Sequence, residues 1–218
     1  MIDSPIPVDL LIFDFDGTIT DSIPSAVEAL QKTIKILGFP YRTKDEINKH
    51  VGLGEVPLVS GSIGSNDPTL LKKALETYQK IYKAEGINKV MPYPHVRDML
   101  EHFSKKTKVI VSNKKDEFIG LILKNLRLER YFDKVFGGDS APCLKPDPCA
   151  ILHMLEIYGS DPKRTIFVGD MVVDVQTARN AGVISCAVTY GFDSREKLTA
   201  AGPDLMIEDM LELTDMVV

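Results

Sequence analysis

The stretch Leu10-Leu11-Ile12-Phe13-Asp14-Phe15-Asp16-Gly17-Thr18 runs an apolar tetrad directly into a pair of acids. The tetrad reads as a short buried strand, and Asp16-Gly17 is a turn signal that ends it. In extended chain, residues two apart point the same way, so Asp14 and Asp16 face one site. Crowding two carboxylates at the end of a buried strand is costly unless something uses or neutralises them. Taken alone, the segment allows two interpretations. One is a nucleophile and a proton donor sharing a cation; the other is a solvated turn with incidental acids.

Outward from this strand the chain turns helical. Ser22 can cap a first helix with Pro24 in its first turn. Ala26, Val27, Leu30, Ile34 and Leu37 recur on one face, and Gly38 can end it. Thr43-Lys44-Asp45-Glu46 fits a capping box that opens a second helix. A loop of small residues is expected from Gly52 to Asn66, then a third helix from Asp67-Pro68 to about Glu85, with Gly86 as its stop. No strand is expected between Thr20 and Met91, and Met91-Pro92-Tyr93-Pro94 reads as a return linker.

From Tyr93 the rhythm changes. Strands are expected at Lys108–Val111, Lys134–Phe136, Thr165–Val168, Ile184–Val188 and Asp204–Ile207, with helices near 94–104, 116–127, 147–158, 173–181 and 194–201 between them. This alternation predicts an α/β fold, a doubly wound parallel sheet covered by helices on both faces. Residues 1–19 and 92–218 would form that core, and 20–91 a helical insert.

The bulk properties narrow the function. With 218 residues and 44% hydrophobic content the chain can bury one large core. A net charge of −5 argues against a general nucleic-acid or anionic-membrane binder, so an anionic substrate must be held by local cations. Cys143, Cys149 and Cys186 fit no paired zinc pattern and are expected as free thiols, which favours the cytoplasm. No basic region precedes the first apolar run, and Asp14 cuts that run short, so it reads as neither signal peptide nor membrane span.

In an open parallel sheet, ligands bind at the carboxyl ends of the strands. The strongest polar signals fall there. Asp14 and Asp16 follow the first strand, and Ser112-Asn113-Lys114 follows Val111. Lys145-Pro146-Asp147-Pro148 follows the strand near Val135, and Asp170 follows Gly169 with Asp174 four residues on. Each has a bland reading, as a loop hydroxyl, a solvated lysine or a helix cap. Their convergence on one edge favours phosphoryl transfer. Carboxylates together with phosphate oxygens suit magnesium, a hard cation that keeps several waters. Asp14 would attack phosphorus and form an aspartyl-phosphate. Asp16 would protonate the leaving oxygen and then activate water. Ser112 and Lys145 would bind the phosphoryl oxygens, Asp170 would ligate the metal, and Asp174 would support it directly or from behind.

These residues resemble the haloacid dehalogenase superfamily, its phosphatases in particular, over nearly the whole chain. The resemblance rests on Asp14–Thr18, Ser112-Asn113-Lys114, Lys145-Pro146 and Gly169-Asp170 with Asp174. It implies Asp14 as nucleophile, Asp16 as acid and base, and Ser112 and Lys145 as phosphate contacts. It implies a Mg2+ site made by the Asp14 side chain, the Asp16 carbonyl and Asp170, and a helical cap at 20–91. The chain is similar in more detail to phosphoglycolate phosphatases and their near relatives, through Val168–Asp170, Ala181-Gly182, Tyr190-Gly191, Ser194-Arg195-Glu196 and Ala201–Asp204. Two departures stand out: Met171 where a small hydroxyl residue is common, and Lys115 where proline often follows.

A closing cap would exclude water and choose the substrate. Its expected recognition segment is His50–Glu55, in which Gly52 lets backbone approach a ligand and Lys49 or His50 meets a substrate carboxylate. Asn113 is expected among the substrate contacts. No complete dinucleotide or phosphate-loop pattern occurs. His95, His102 and His153 are expected in structural or surface roles, and the lysines at 72–73 and 105–108 as solvated faces. The expected partner is a small phosphorylated metabolite, 2-phosphoglycolate first, met by a monomer or homodimer without nucleic acid or membrane. The alternatives are a sugar phosphomutase resembling β-phosphoglucomutase, an inorganic pyrophosphatase, or a silent binding protein. Dehalogenation fits less well, since dehalogenase relatives lack the second acid.

Overall fold

The computed structural model describes residues 4–218. Its strands are β1 (Leu10–Phe13), β2 (Thr20–Asp21), β3 (Met91–Pro92), β4 (Thr107–Val111), β5 (Lys134–Phe136), β6 (Thr165–Gly169), β7 (Ile184–Val188) and β8 (Leu205–Ile207). Six of them form one parallel sheet in the order β5-β4-β1-β6-β7-β8. All four residues of β1 are buried, as a strand covered on both faces requires. From β1 the chain winds to β4 and β5 on one side, then crosses to β6 on the other. The order of winding therefore reverses beside β1, and a crevice opens at the carboxyl ends of β1 and β6.

The helices are α1 (Ile23–Leu37), α2 (Lys44–Asn48), α3 (Glu55–Ile63), α4 (Pro68–Ile81), α5 (Val96–His102), α6 (Asp116–Leu126), α7 (Cys149–Tyr158), α8 (Val172–Ala181), α9 (Arg195–Ala201) and α10 (Glu212–Met216). The first four follow β1 without contributing to the large sheet, and α1 packs on α4. Val27, Leu30 and Ile34 lie on the buried face of α1, and Gly38 closes the helix in the left-handed region. The capping box at α2 forms with Thr43 and Glu46.

Several expectations require correction. Residues 55–63 are helical rather than a loop. Gly54 precedes this helix, Pro57 sits in its first turn where a missing N–H costs nothing, and Gly64 ends it in the left-handed region. The segment between Thr20 and Met91 also carries strand at both ends, because β2 and β3 pair antiparallel. Two residues on each side are too few to leave a periodic signal. Ser22 precedes α1 but does not cap it; its hydroxyl donates to Asp16 instead.

Lys108 is 2% exposed, not solvated: its Nζ donates to the Phe103 carbonyl at 2.6 Å and that of Lys106 at 2.7 Å. Cys143 and Cys149 form a disulfide across a turn that brings their Cα atoms to 6.0 Å, and only Cys186 is a free, buried thiol. The cysteines therefore give no support to a reducing compartment. Among the described residues no helix is long and apolar enough to cross a membrane.

Tyr82 joins the inserted helices to the core. It follows α4 in a π-helical turn (Tyr82–Gly86) and is fully buried. It stacks on Tyr78 at 5.7 Å and meets Phe118 of α6 edge-on at 5.1 Å. The ring fits because position 86 has no side chain: a Cβ there would lie 2.4 Å from Tyr82 Cδ2. Gly86→Ala gains roughly 1 kcal/mol of helix propensity, while overpacking against a locked ring costs about 1–3 kcal/mol. The clash should win, so chemical denaturation should show Gly86→Ala less stable than the parent. A midpoint at or above the parent's would mean that the ring yields.

Candidate active site

Three buried acids meet at the crevice. Asp14 leaves β1 with its N–H still paired to the Val168 carbonyl at 2.8 Å, and Asp170 follows β6 directly. Asp174 comes from the first turn of α8. Ligand oxygens of all three lie within 4.8 Å of one another, and the residues are 5%, 0% and 2% exposed. Lys145, also buried, reaches them from the turn after β5. Its Nζ stands 2.8 Å from Asp14 Oδ1 and 2.6 Å from Asp174 Oδ1. Ser112 is buried at the end of β4 and lines the same cleft, which opens to solvent.

The charges explain the perturbed acids. Burial pushes the Asp14 carboxyl up, and the Lys145 ammonium pulls against it. Burial, reinforced by Asp174 and Asp14, drives Asp170 well above the ordinary carboxylate range. Burial alone would lower Lys145, but Asp14 and Asp174 overcome this and hold it charged. Three carboxylates against one ammonium leave an excess of two negative charges when all are ionised. Asp14 Oδ1 is buried without a well-formed hydrogen bond. An all-oxygen donor set with this excess fits a hard divalent cation.

The two other acids differ in how committed they are. Asp170 Oδ1 accepts from the Thr18 hydroxyl at 2.9 Å, and Oδ2 from the Phe192 N–H at 2.8 Å. These bonds fix its orientation and leave lone pairs free. Gly17, at φ +85°, keeps the turn open around it; a Cβ at this position would lie 2.1 Å from Asp170 Oδ2. Asp174 is committed on both oxygens, Oδ1 to Lys145 and Oδ2 to the Met171 N–H at 2.9 Å. It positions Lys145 and caps α8, which suits a support behind the metal better than a direct ligand.

Asp16 points elsewhere. Its carboxylate lies 3.1 Å (Oδ1) and 3.3 Å (Oδ2) from Lys114 Nζ and accepts from the Ser22 hydroxyl. Asp16 is thus outside the carboxylate triplet. Lys114 in turn donates to the Tyr82 hydroxyl at 3.0 Å. The proton-shuttling acid proposed from the sequence is therefore held directly by Ser22 and by Lys114, which Tyr82 holds in turn. Lys114 lay in the quoted Ser112-Asn113-Lys114 string, but Tyr82 had no sequence signal, being one more aromatic on an amphipathic helix.

Asn113 faces protein rather than open cleft. Its Nδ2 donates to the Gly52 carbonyl at 2.9 Å and the Lys145 carbonyl at 3.2 Å, and its Oδ1 accepts from the Lys145 N–H at 2.9 Å. It clamps Lys145 in place and ties down the inserted segment. Gly52 does line the cleft, packed against Met171. His50 does not: its ring packs against Gly61 of α3, and Lys49 is exposed. A helix at 55–63, not expected from the sequence, holds His50 away from the cleft. It brings Glu55 and Leu58 to the cleft instead.

A family model described as haloacid dehalogenase-like hydrolase matches residues 11–188. A phosphoglycolate phosphatase of Pseudomonas putida is 33% identical over 212 residues, covering 94% of this chain and 78% of that one. One from Vibrio parahaemolyticus is 30% identical and 96% of each chain is covered. Among solved structures, a haloacid dehalogenase-like hydrolase from Bacteroides fragilis superposes with a TM-score of 0.87 at 26% identity, covering 94% of this chain and 99% of that one.

Asn113→Ala removes all three clamp bonds and strands the buried Lys145 N–H. An unsatisfied buried donor costs about 1–3 kcal/mol, so denaturant melts should show a loss of that size. An unchanged midpoint would mean that Lys145 is held from elsewhere.

Proposed function

Since the chain belongs to the haloacid dehalogenase-like hydrolases and is an enzyme of that family, we propose that it is a divalent-metal-dependent phosphatase of small phosphomonoesters. One observation carries this reading: a buried ammonium and three buried carboxylates meet where the winding of the sheet reverses, beside a seryl hydroxyl and a fourth, separately held acid.

Lys145 and Ser112 would hold the phosphoryl oxygens, the lysine by charge and the serine by its O–H. An Asp14 carboxylate oxygen attacks phosphorus, the bond from phosphorus to the alcohol oxygen breaks, and Asp16 delivers its proton to that oxygen. The products of this half are the alcohol and a phospho-aspartate at Asp14. In the second half, ionised Asp16 takes a proton from water. The water oxygen attacks phosphorus, releasing phosphate and restoring Asp14. Asp14, the Asp16 carbonyl and Asp170 would hold the cation, with Mg2+ the best match to hard oxygen donors. A bound cation would offset repulsion between the Asp14 carboxylate and the phosphate dianion. Residues 20–91 would act as a cap over a core of 1–19 and 92–218. Met171, Leu58 and Phe118 would then shield the reacting atoms from bulk water.

2-Phosphoglycolate, the substrate in the names of the Pseudomonas and Vibrio relatives, is the first to try. Phosphate release from it and from an aryl phosphate is expected with Mg2+ and is lost on chelation. Asp14→Asn should lower turnover by about 10^4-fold or more, as nucleophile removal does. Retained magnesium-dependent turnover in Asp14→Asn would overturn the mechanism. Conversion of a hexose 1-phosphate without phosphate release would reassign the enzyme as a phosphomutase.

A further inference from the structure

Glu55 is the one acid of the cleft that the chemistry above leaves without a task. It opens α3, and its side chain is 12% exposed. Its Oε2 accepts from Gln79 Nε2 at 2.7 Å and stands 3.7 Å from Lys115 Nζ. Its Oε1 is buried with no hydrogen-bond partner among the described residues. Burial raises its carboxyl above the ordinary range despite Gln79 and Lys115.

An acid kept only as a structural ion pair would have both oxygens served. Buried polar atoms are almost always paired, and the exceptions call for an explanation. Here the explanation lies in the cleft, because Glu55 lines the same cavity as Asp14, Asp16, Ser112 and Lys145. A carboxylate repels phosphate, so this subsite must serve the other end of the substrate. The neighbouring wall is largely apolar, built from Ile23, Ala26, Val27, Leu58 and Phe118, and neither Tyr78 nor Ser22, which also line the cleft, donates to Oε1. Lys115 already supplies a positive charge beside Glu55. The unmet need is therefore a neutral O–H donor rather than a second cation.

We propose that Glu55 Oε1 is the acceptor for a hydroxyl on the alcohol part of the substrate, so that the enzyme also hydrolyses the phosphomonoesters of polyols. The proposal rests on the phosphatase reading but not on 2-phosphoglycolate, which has no such hydroxyl. Lys115 places a positive charge beside the Glu55 carboxyl, and Gln79 fixes its rotamer.

The test compares glycerol 1-phosphate with propyl phosphate, which has the same carbon chain without the free hydroxyls, using the full-length protein with Mg2+. A hydrogen bond to a charged acceptor predicts that the parent prefers the glycerol ester in kcat/KM by about tenfold or more. Glu55→Ala should erase most of that ratio, chiefly through the KM of glycerol 1-phosphate. Glu55→Gln, which keeps the volume and one neutral acceptor, should retain part of it, and it decides the matter if Glu55→Ala fails to fold. A parent without the preference, or a ratio unchanged in both variants, overturns the proposal. 2-Phosphoglycolate and an aryl phosphate run alongside separate the two failures. If neither is hydrolysed, the phosphatase reading itself has failed.

Discussion

Lys145 holds the buried site together. Its ammonium lies between Asp14 and Asp174, in a region where a unit-charge pair at about 4 Å interacts with roughly 4 kcal/mol at an effective dielectric of 20. Without it, three carboxylates would face one another inside the protein with only neutral donors for company. The fold reflects this need. Asn113 binds Lys145 through both its N–H and its carbonyl, and Asp174 is tied to the start of α8 so that it meets the ammonium. The lysine compensates one charge and leaves the remainder, so the same arrangement that makes the pocket tolerable also makes it attract a cation.

A second set of contacts separates the roles of the two acids in the opening motif. Asp14 turns into the carboxylate cluster, whereas Asp16 is held by Lys114 and Ser22. Lys114 leans on Tyr82, and Tyr82 is locked among Tyr78 and Phe118. Asp16 is thus linked through Lys114 and Tyr82 to the inserted helices.

Much of the architecture was legible in the chain. β1, β5 and β7 match the expected ranges, and β4, β6 and β8 differ by a residue at one end. This follows because strands buried on both faces are short apolar runs bounded by turn residues. The helix at 55–63 was not legible, since Gly, Ser and Pro mask a helix whose stability comes from packing. Nor was the burial of Lys108, whose charge is served by carbonyls of the preceding loop.

At the site, the sequence by itself determined which residue types stand at the carboxyl ends of the strands. Adjacency to a strand is a local property, and Asp14, Ser112 and Asp170 each follow one directly. Tertiary structure decided their partners. Thr18 reaches Asp170 across 152 positions, Lys114 reaches Asp16 across 98, and Gln79 reaches Glu55 from another helix. It also withdrew His50 from the cleft and put Glu55 there in its place. No local pattern encodes such pairings, because each arises only when the sheet's winding order and the inserted helices bring distant segments into contact.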